Sequence, residues 1–173
     1  MNIRSLISFL AFAILIILAQ ILLLKNLALF GVAFGFLYVM VILDLPISIK
    51  PIPLLLIGFG LGLFIDVFYD TTGMHAASAT LLGFIRPHWL KLVSPTGGYD
   101  DNNKPNLREM GLSWYITYAL PLVLAYTLVF FLVDTWGTGN LLEAFNKGFF
   151  STIFTVALAI LVQLLFFKRR RGI

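Results

Sequence analysis

Between Arg4 and Lys25 the chain carries no charge, and the run from Leu6 to Leu24 is almost wholly apolar. A bilayer-spanning helix needs about 20 mostly apolar residues, because the hydrocarbon core is about 30 Å thick. Runs of this kind recur along the sequence, and they constrain the fold more than any other feature. Charged residues make up only 12% of the 173 residues, with 60% hydrophobic, where soluble domains carry about 25% charged. The reading is an all-α, polytopic membrane helix bundle. It forms one integral membrane domain over residues 1–173, with spans near 5–24, 28–45, 53–69, 74–91, 113–133 and 146–167.

The first run opens like a secretory signal, with Arg4 before an apolar core. It outlasts the 7–15 residues of such a core, and no small-x-small cleavage site follows, so it reads as an uncleaved span. Pro46, Pro51 and Pro53 suit a tight turn between spans two and three. Span four is the most polar, with Ser78, Thr80, Gly83 and Arg86 ahead of Pro87. A short or re-entrant helix is the alternative there.

Charge orients this layout. With both termini cytoplasmic, the inner segments hold Arg4, Lys50, Arg86, Lys91, Lys104, Arg108 and the run Lys168 to Arg171, leaving only Lys25 and Lys147 outside. Ten of the twelve cations then share one face, as the positive-inside rule requires. Trp89, Trp114, Tyr115 and Tyr118 fall near the inner boundary, where amphipathic rings anchor helices. The net charge of +4 is concentrated in these flanking residues. It implies topology anchoring and contact with anionic lipid rather than nucleic-acid binding.

With no cysteine, thiolate chemistry and disulfides are excluded. The longest polar stretch, a cytoplasmic loop near 92–112, is too short for a soluble catalytic domain. Its Pro95-to-Asn103 portion reads as a connector, with a contact surface as the alternative.

The most informative segment is residues 54–81. Gly58 and Gly62 share one helical face, which lets a neighbouring backbone approach closely. Either that neighbour is another helix of this bundle, or the face docks a second membrane protein. Asp66 and Asp70 follow at i, i+4 spacing, with Gly73 and His75 beyond a Thr-Thr turn. A carboxylate beside hydrocarbon is costly and is seldom kept without a role. Three readings stand: capping of the next helix around Thr72, polar pairing within or between proteins, and a metal site with His75. For His75 itself the bland reading is an interfacial or hydrogen-bonded side chain. Arg86-Pro87 reads as the close of span four, its guanidinium either a topology marker or a ligand for lipid phosphate or a partner's carboxylate. Aspartyl proteolysis needs carboxylates from different helices sharing a proton, and Asp66 and Asp70 sit on one. Neither histidine has a serine nucleophile in evident register. No active site is read, and no cofactor.

The pattern Gly-Phe-Gly-Leu-Gly-Leu-Phe-Ile-Asp66, a polar turn, Gly73-Met74-His75-Ala76 and a span ending Arg86-Pro87 resembles the rod shape-determining protein MreD family. Its sequence-specific part covers about residues 58–87, while span number, length and loop placement extend the likeness over most of the chain. Gly98-Tyr99 and Gly111-x-x-Trp114 fit a subgroup of such proteins. The resemblance implies a non-enzymatic scaffold of the bacterial inner membrane. Such a protein binds MreC and helps couple the MreB filament to RodA and its penicillin-binding partner. It also implies a fold similar to the substrate-binding subunits of energy-coupling-factor vitamin transporters, which gives the alternative function. Asp66, Gly73 and Arg86-Pro87 fall on matching motif positions; Asp70 and His75 match less clearly.

Overall fold

A computed structural model describes residues 3–99, 104–136 and 139–166. The Lys168–Arg171 basic run, residues 100–103 of the polar loop and residue 167 at the end of the sixth expected span lie outside the described residues. Helix α1 (Ile3–Ala19) continues into a π-helical turn, Gln20–Leu24. Then come a two-residue hairpin, β1 (Ala28–Leu29) against β2 (Ala33–Phe34), and a five-residue helix, α2 (Val39–Leu43). The rest is helical: α3 (Pro51–Tyr69), α4 (Met74–Leu92), the short α5 (Leu107–Met110), α6 (Leu112–Asp134) and α7 (Leu141–Phe166).

Four of these segments are long and apolar enough to cross a membrane: Leu6–Leu24, α3, α6 and α7. Helix α4 matches α3 in length, 19 residues, but is more polar. It is a continuous helix from Met74 to Leu92, and it is not among the four segments apolar enough to cross by length and composition. Pro87 does not close it: the helix runs on to Leu92, with Pro87 inside. Only one main-chain donor is lost there.

The expected second span, 28–45, is not a helix. Phe30 and Gly31 both take positive φ, 54° and 70°, and turn the chain into the hairpin. The stretch after it stays irregular except for α2. It is nevertheless the most buried part of the molecule, with Tyr38, Val39 and Ile42 wholly enclosed. Hydrocarbon-like surroundings forbid unsatisfied backbone groups, so a non-helical segment at membrane depth must be enclosed by protein that supplies partners. Gln20 and side chains of α4, α6 and α7 supply those partners.

The contacts define two ends. At one, Lys25 lies 3.5 Å from Asp70, and the Phe34 N–H donates to Ser151 Oγ at 2.9 Å. At the other, Arg86 meets the carbonyls of Leu43 and Leu45, and Trp114 Nε1 donates to the Val93 carbonyl at 3.0 Å. The irregular segment therefore leads from the first end to the second. Tyr115 and Tyr118 are wholly buried rather than placed as surface anchors. Their rings pack in the core beside Leu43 and Arg86, which removes them from the aromatic belt expected there.

Candidate functional site

The two glycines on one face of α3 are used inside the bundle. A Cβ at Gly62 would lie 2.5 Å from Ala76 Cα, and one at Gly58 2.7 Å from the Ala79 carbonyl oxygen. These are backbone atoms with no freedom to yield, so α3 and α4 approach as closely as two helices can. Gly60, two residues from each of them and off that face, meets nothing within 4 Å.

That close approach brings Asp66 beneath the start of α4. Its Oδ1 accepts the His75 N–H at 3.0 Å and the Thr71 hydroxyl at 2.5 Å, and its Oδ2 accepts the Ala76 N–H at 2.9 Å. The first N–H groups of a helix have no partner within it. Gly73, at φ 85°, stands at the N-cap position with no side chain to offer. Asp66 supplies the missing acceptor from the preceding helix, and its negative charge sits at the positive end of the α4 dipole. Of the three readings of this carboxylate, capping is the one its contacts describe.

Asp70 parts company with Asp66. Helix α3 stops at Tyr69, and Asp70 takes a left-handed conformation, φ 56°. The i, i+4 register is lost there: Asp66 is buried, and Asp70 is exposed and paired with Lys25. Lys25 also donates to the Phe68 carbonyl at the end of α3, so a cation closes that helix terminus.

His75 is wholly buried. Its Nδ1 is 2.7 Å from the Tyr126 hydroxyl and 3.2 Å from that of Tyr38, and the two hydroxyls are 2.7 Å apart. The three groups close a triangle that ties the irregular segment to α4 and α6. Phe130 packs on the imidazole, ring centroids 4.6 Å apart, with Tyr69 at 4.9 Å. Nε2 has no hydrogen-bond partner. Among the described residues no three His, Asp or Glu side chains come together.

Arg86 is also wholly buried, and its contacts are with the 43–45 segment and α6. Nη2 donates to the Leu43 carbonyl at 3.1 Å and to that of Leu45, and Nε donates to the Tyr118 hydroxyl at 2.7 Å. Tyr118 in turn donates to the Leu43 carbonyl at 2.9 Å. Helix α2 ends there, and its last carbonyls need donors. The guanidinium fork serves several at once, as an ammonium cannot. Asp44, next along, accepts from Gln163 Nε2 at 3.0 Å.

Sequence reasoning singled out Gly58, Gly62, Asp66, Gly73, His75 and Arg86, and the structure joins all six to the α3–α4 pair or to the segment against it. It missed Gln20, Tyr38, Tyr126, Tyr118, Asp44 and Gln163. The available signal was a buried amide or hydroxyl in an apolar run, as at Gln20 and Gln163, which calls for a partner. Against family models, curated proteins and solved structures alike, the chain gives no match.

Proposed function

We propose that this chain is a non-enzymatic scaffold of the bacterial cell-wall elongation complex, a six-crossing inner-membrane protein with cytoplasmic termini that binds an MreC-type partner. The observation that carries this reading is the continuity of the motif residues. Gly58, Gly62, Asp66 and Gly73 fix α3 against α4, and Arg86 fixes α4 against the 36–45 segment. A motif spent wholly on architecture leaves the helix faces as the working surface, which suits gripping other proteins. MreB, RodA and a penicillin-binding protein then connect through the assembly. The alternation of six segments between the two ends supports the crossing number, and the cations grouped at the Arg86 end support the orientation.

The test is photo-crosslinking in native membranes from exposed positions on α3, Phe59, Phe64 and Val67, and on α7, Phe149 and Leu161. MreC adducts from at least one face are expected; none from any position rejects the reading. Asp66 and Gly62 are poor probes, since their loss disturbs the fold itself.

A second reading, a substrate-binding subunit of the energy-coupling-factor type, draws on a cavity at the Lys25 end. It is bordered by Lys25, Tyr69, Phe130, Asp134 and Lys147 and holds about 200 Å³. Small-molecule sites usually hold about 300–1,000 Å³, so this reading stands second. Mass spectrometry of denatured, partner-free protein would reveal a retained small molecule if it were right.

A further inference from the structure

Among the described residues, four buried side-chain atoms lack a hydrogen-bond partner: Asp44 Oδ2, Arg86 Nη1, the Tyr115 hydroxyl and His75 Nε2. The first three belong to one neighbourhood. The Arg86 guanidinium reaches the carbonyls of Leu43 and Leu45, the residues on either side of Asp44. Its Nε meets the Tyr118 hydroxyl, and the Tyr115 ring stands 6.4 Å from that of Tyr118. Asp44 is near enough for its charge to act on both Arg86 and Tyr115. His75 Nε2 is alone by contrast, on a ring packed by Phe36, Tyr69 and Phe130.

The carboxylate and the guanidinium share a deficit, yet among the described residues they form no ion pair. Each is pinned elsewhere. Gln163 holds Asp44 Oδ1, and the Arg86 Nε and Nη2 hydrogens go to Tyr118 and two carbonyls. Arg86 cannot shed its charge, and a buried charge without a partner is a costly state. Drawing the two groups into contact would strand main-chain carbonyls at membrane depth instead. What stays unmatched is one acceptor, one donor and a hydroxyl able to serve as either. Water is complementary to that set. Buried waters typically make about three hydrogen bonds to such groups, and they bridge polar atoms too far apart to touch.

We propose that Asp44, Arg86 and Tyr115 bind an ordered internal water, which joins the carboxylate and the guanidinium as a solvent-separated ion pair. The water donates to Asp44 Oδ2, accepts from Arg86 Nη1 and pairs with the Tyr115 hydroxyl. It acts as a structural ligand: both charges persist at the end of α2 while Arg86 keeps the Leu43 and Leu45 carbonyls. A lone polar atom such as His75 Nε2 offers too few partners to hold one. The inference is independent of which proteins the chain binds.

The test is synchrotron radiolysis of the full chain in lipid nanodiscs, which makes hydroxyl radicals from water in place, bound water included. Mass spectrometry then reads oxidation residue by residue. Tyr38, Tyr115 and Tyr126 are equally enclosed, at 0% exposure, but the Tyr38 and Tyr126 hydroxyls are partnered. Tyr115 should be oxidised several times faster than either. Equally slow oxidation of all three, the outcome of a dry contact, would overturn the proposal. Asp44→Leu removes the acceptor and should bring Tyr115 down to the rate of Tyr126; a rate that stays high overturns it. Asp44 also borders a cavity of about 550 Å³ whose wall includes Ala11 and Phe12. Ala11→Phe, which narrows that cavity, should leave the Tyr115 rate unchanged. A loss there would assign the water to the cavity and overturn the bridging role. Should Asp44→Leu fail to fold, the native comparison of the three tyrosines and Ala11→Phe decide between them.

Discussion

The Tyr38 N–H donates to Gln20 Oε1 across 3.3 Å, and the same side chain's Nε2 donates to the Gly35 carbonyl at 2.9 Å. One amide on the last turn of the first helical run thus satisfies both a donor and an acceptor of the irregular segment. Gln20→Leu should cost about 2–4 kcal/mol, since each buried backbone group left unpaired costs about 1–3 kcal/mol. Unfolding in mixed micelles, followed by circular dichroism, measures this; a change under about 0.5 kcal/mol would contradict the role assigned to Gln20.

Gly60 and Gly62 lie on the same helix with opposite surroundings. Gly62→Ala should destabilise by about 1–3 kcal/mol, as overpacking against backbone does. Gly60→Ala meets open space and should be neutral, or stabilising by about 0.5–1 kcal/mol. The paired comparison cancels effects of detergent and helix propensity.

Removing the buried guanidinium strands the carbonyls of Leu43 and Leu45. Arg86→Met should therefore cost about 3–5 kcal/mol, the usual range for breaking a buried charged network. Arg86→Lys should recover only part, because an ammonium on a longer stem cannot keep Tyr118 and two carbonyls together. Thermal aggregation assays on the three proteins give the ranking.

Asp66→Leu leaves the N–H groups of His75 and Ala76 without their acceptor and should lose at least about 2 kcal/mol. Asp66→Asn keeps one acceptor oxygen but turns its amide donor toward a second N–H, so an intermediate loss is expected. Hydrogen exchange at His75 and Ala76 should quicken in both variants while the far end of α4 keeps its protection.

The native chain has no cysteine, so single thiols report sidedness cleanly. Thr72 and Thr96 are exposed at opposite ends of α4. Thr72→Cys should react with an impermeant maleimide in intact spheroplasts, and Thr96→Cys only after lysis. Labelling of both from one side would refute the topology.

Hydropathy made α1, α3, α6 and α7 legible to within a few residues, since each is a long apolar run bounded by Pro, Gly or charge. It failed at residues 28–45 for a physical reason. Apolarity reports that a segment is removed from water, and Leu37 to Leu43 is removed as completely as any span. It does not report how the backbone is hydrogen-bonded. Gly31, Gly35 and the hydroxyls of Ser151 and Thr155 were the hints, but donor and acceptor lie more than a hundred residues apart. The contacts of Arg86 were illegible for a related reason: two of its acceptors are main-chain carbonyls, which no side-chain pattern reveals. The capping role of Asp66 was within reach because its targets follow only nine and ten residues later.

The irregular segment has a consequence for biogenesis. The Phe36 N–H is satisfied by the Thr155 hydroxyl on α7, at 3.0 Å. During synthesis residues 28–45 therefore leave the ribosome long before the groups that complete their hydrogen bonding exist. Hydrocarbon cannot shelter them in the interval. Their hydrogen bonding is completed only once α7 is made. A helix made more than a hundred residues later is the one that locks this segment in place.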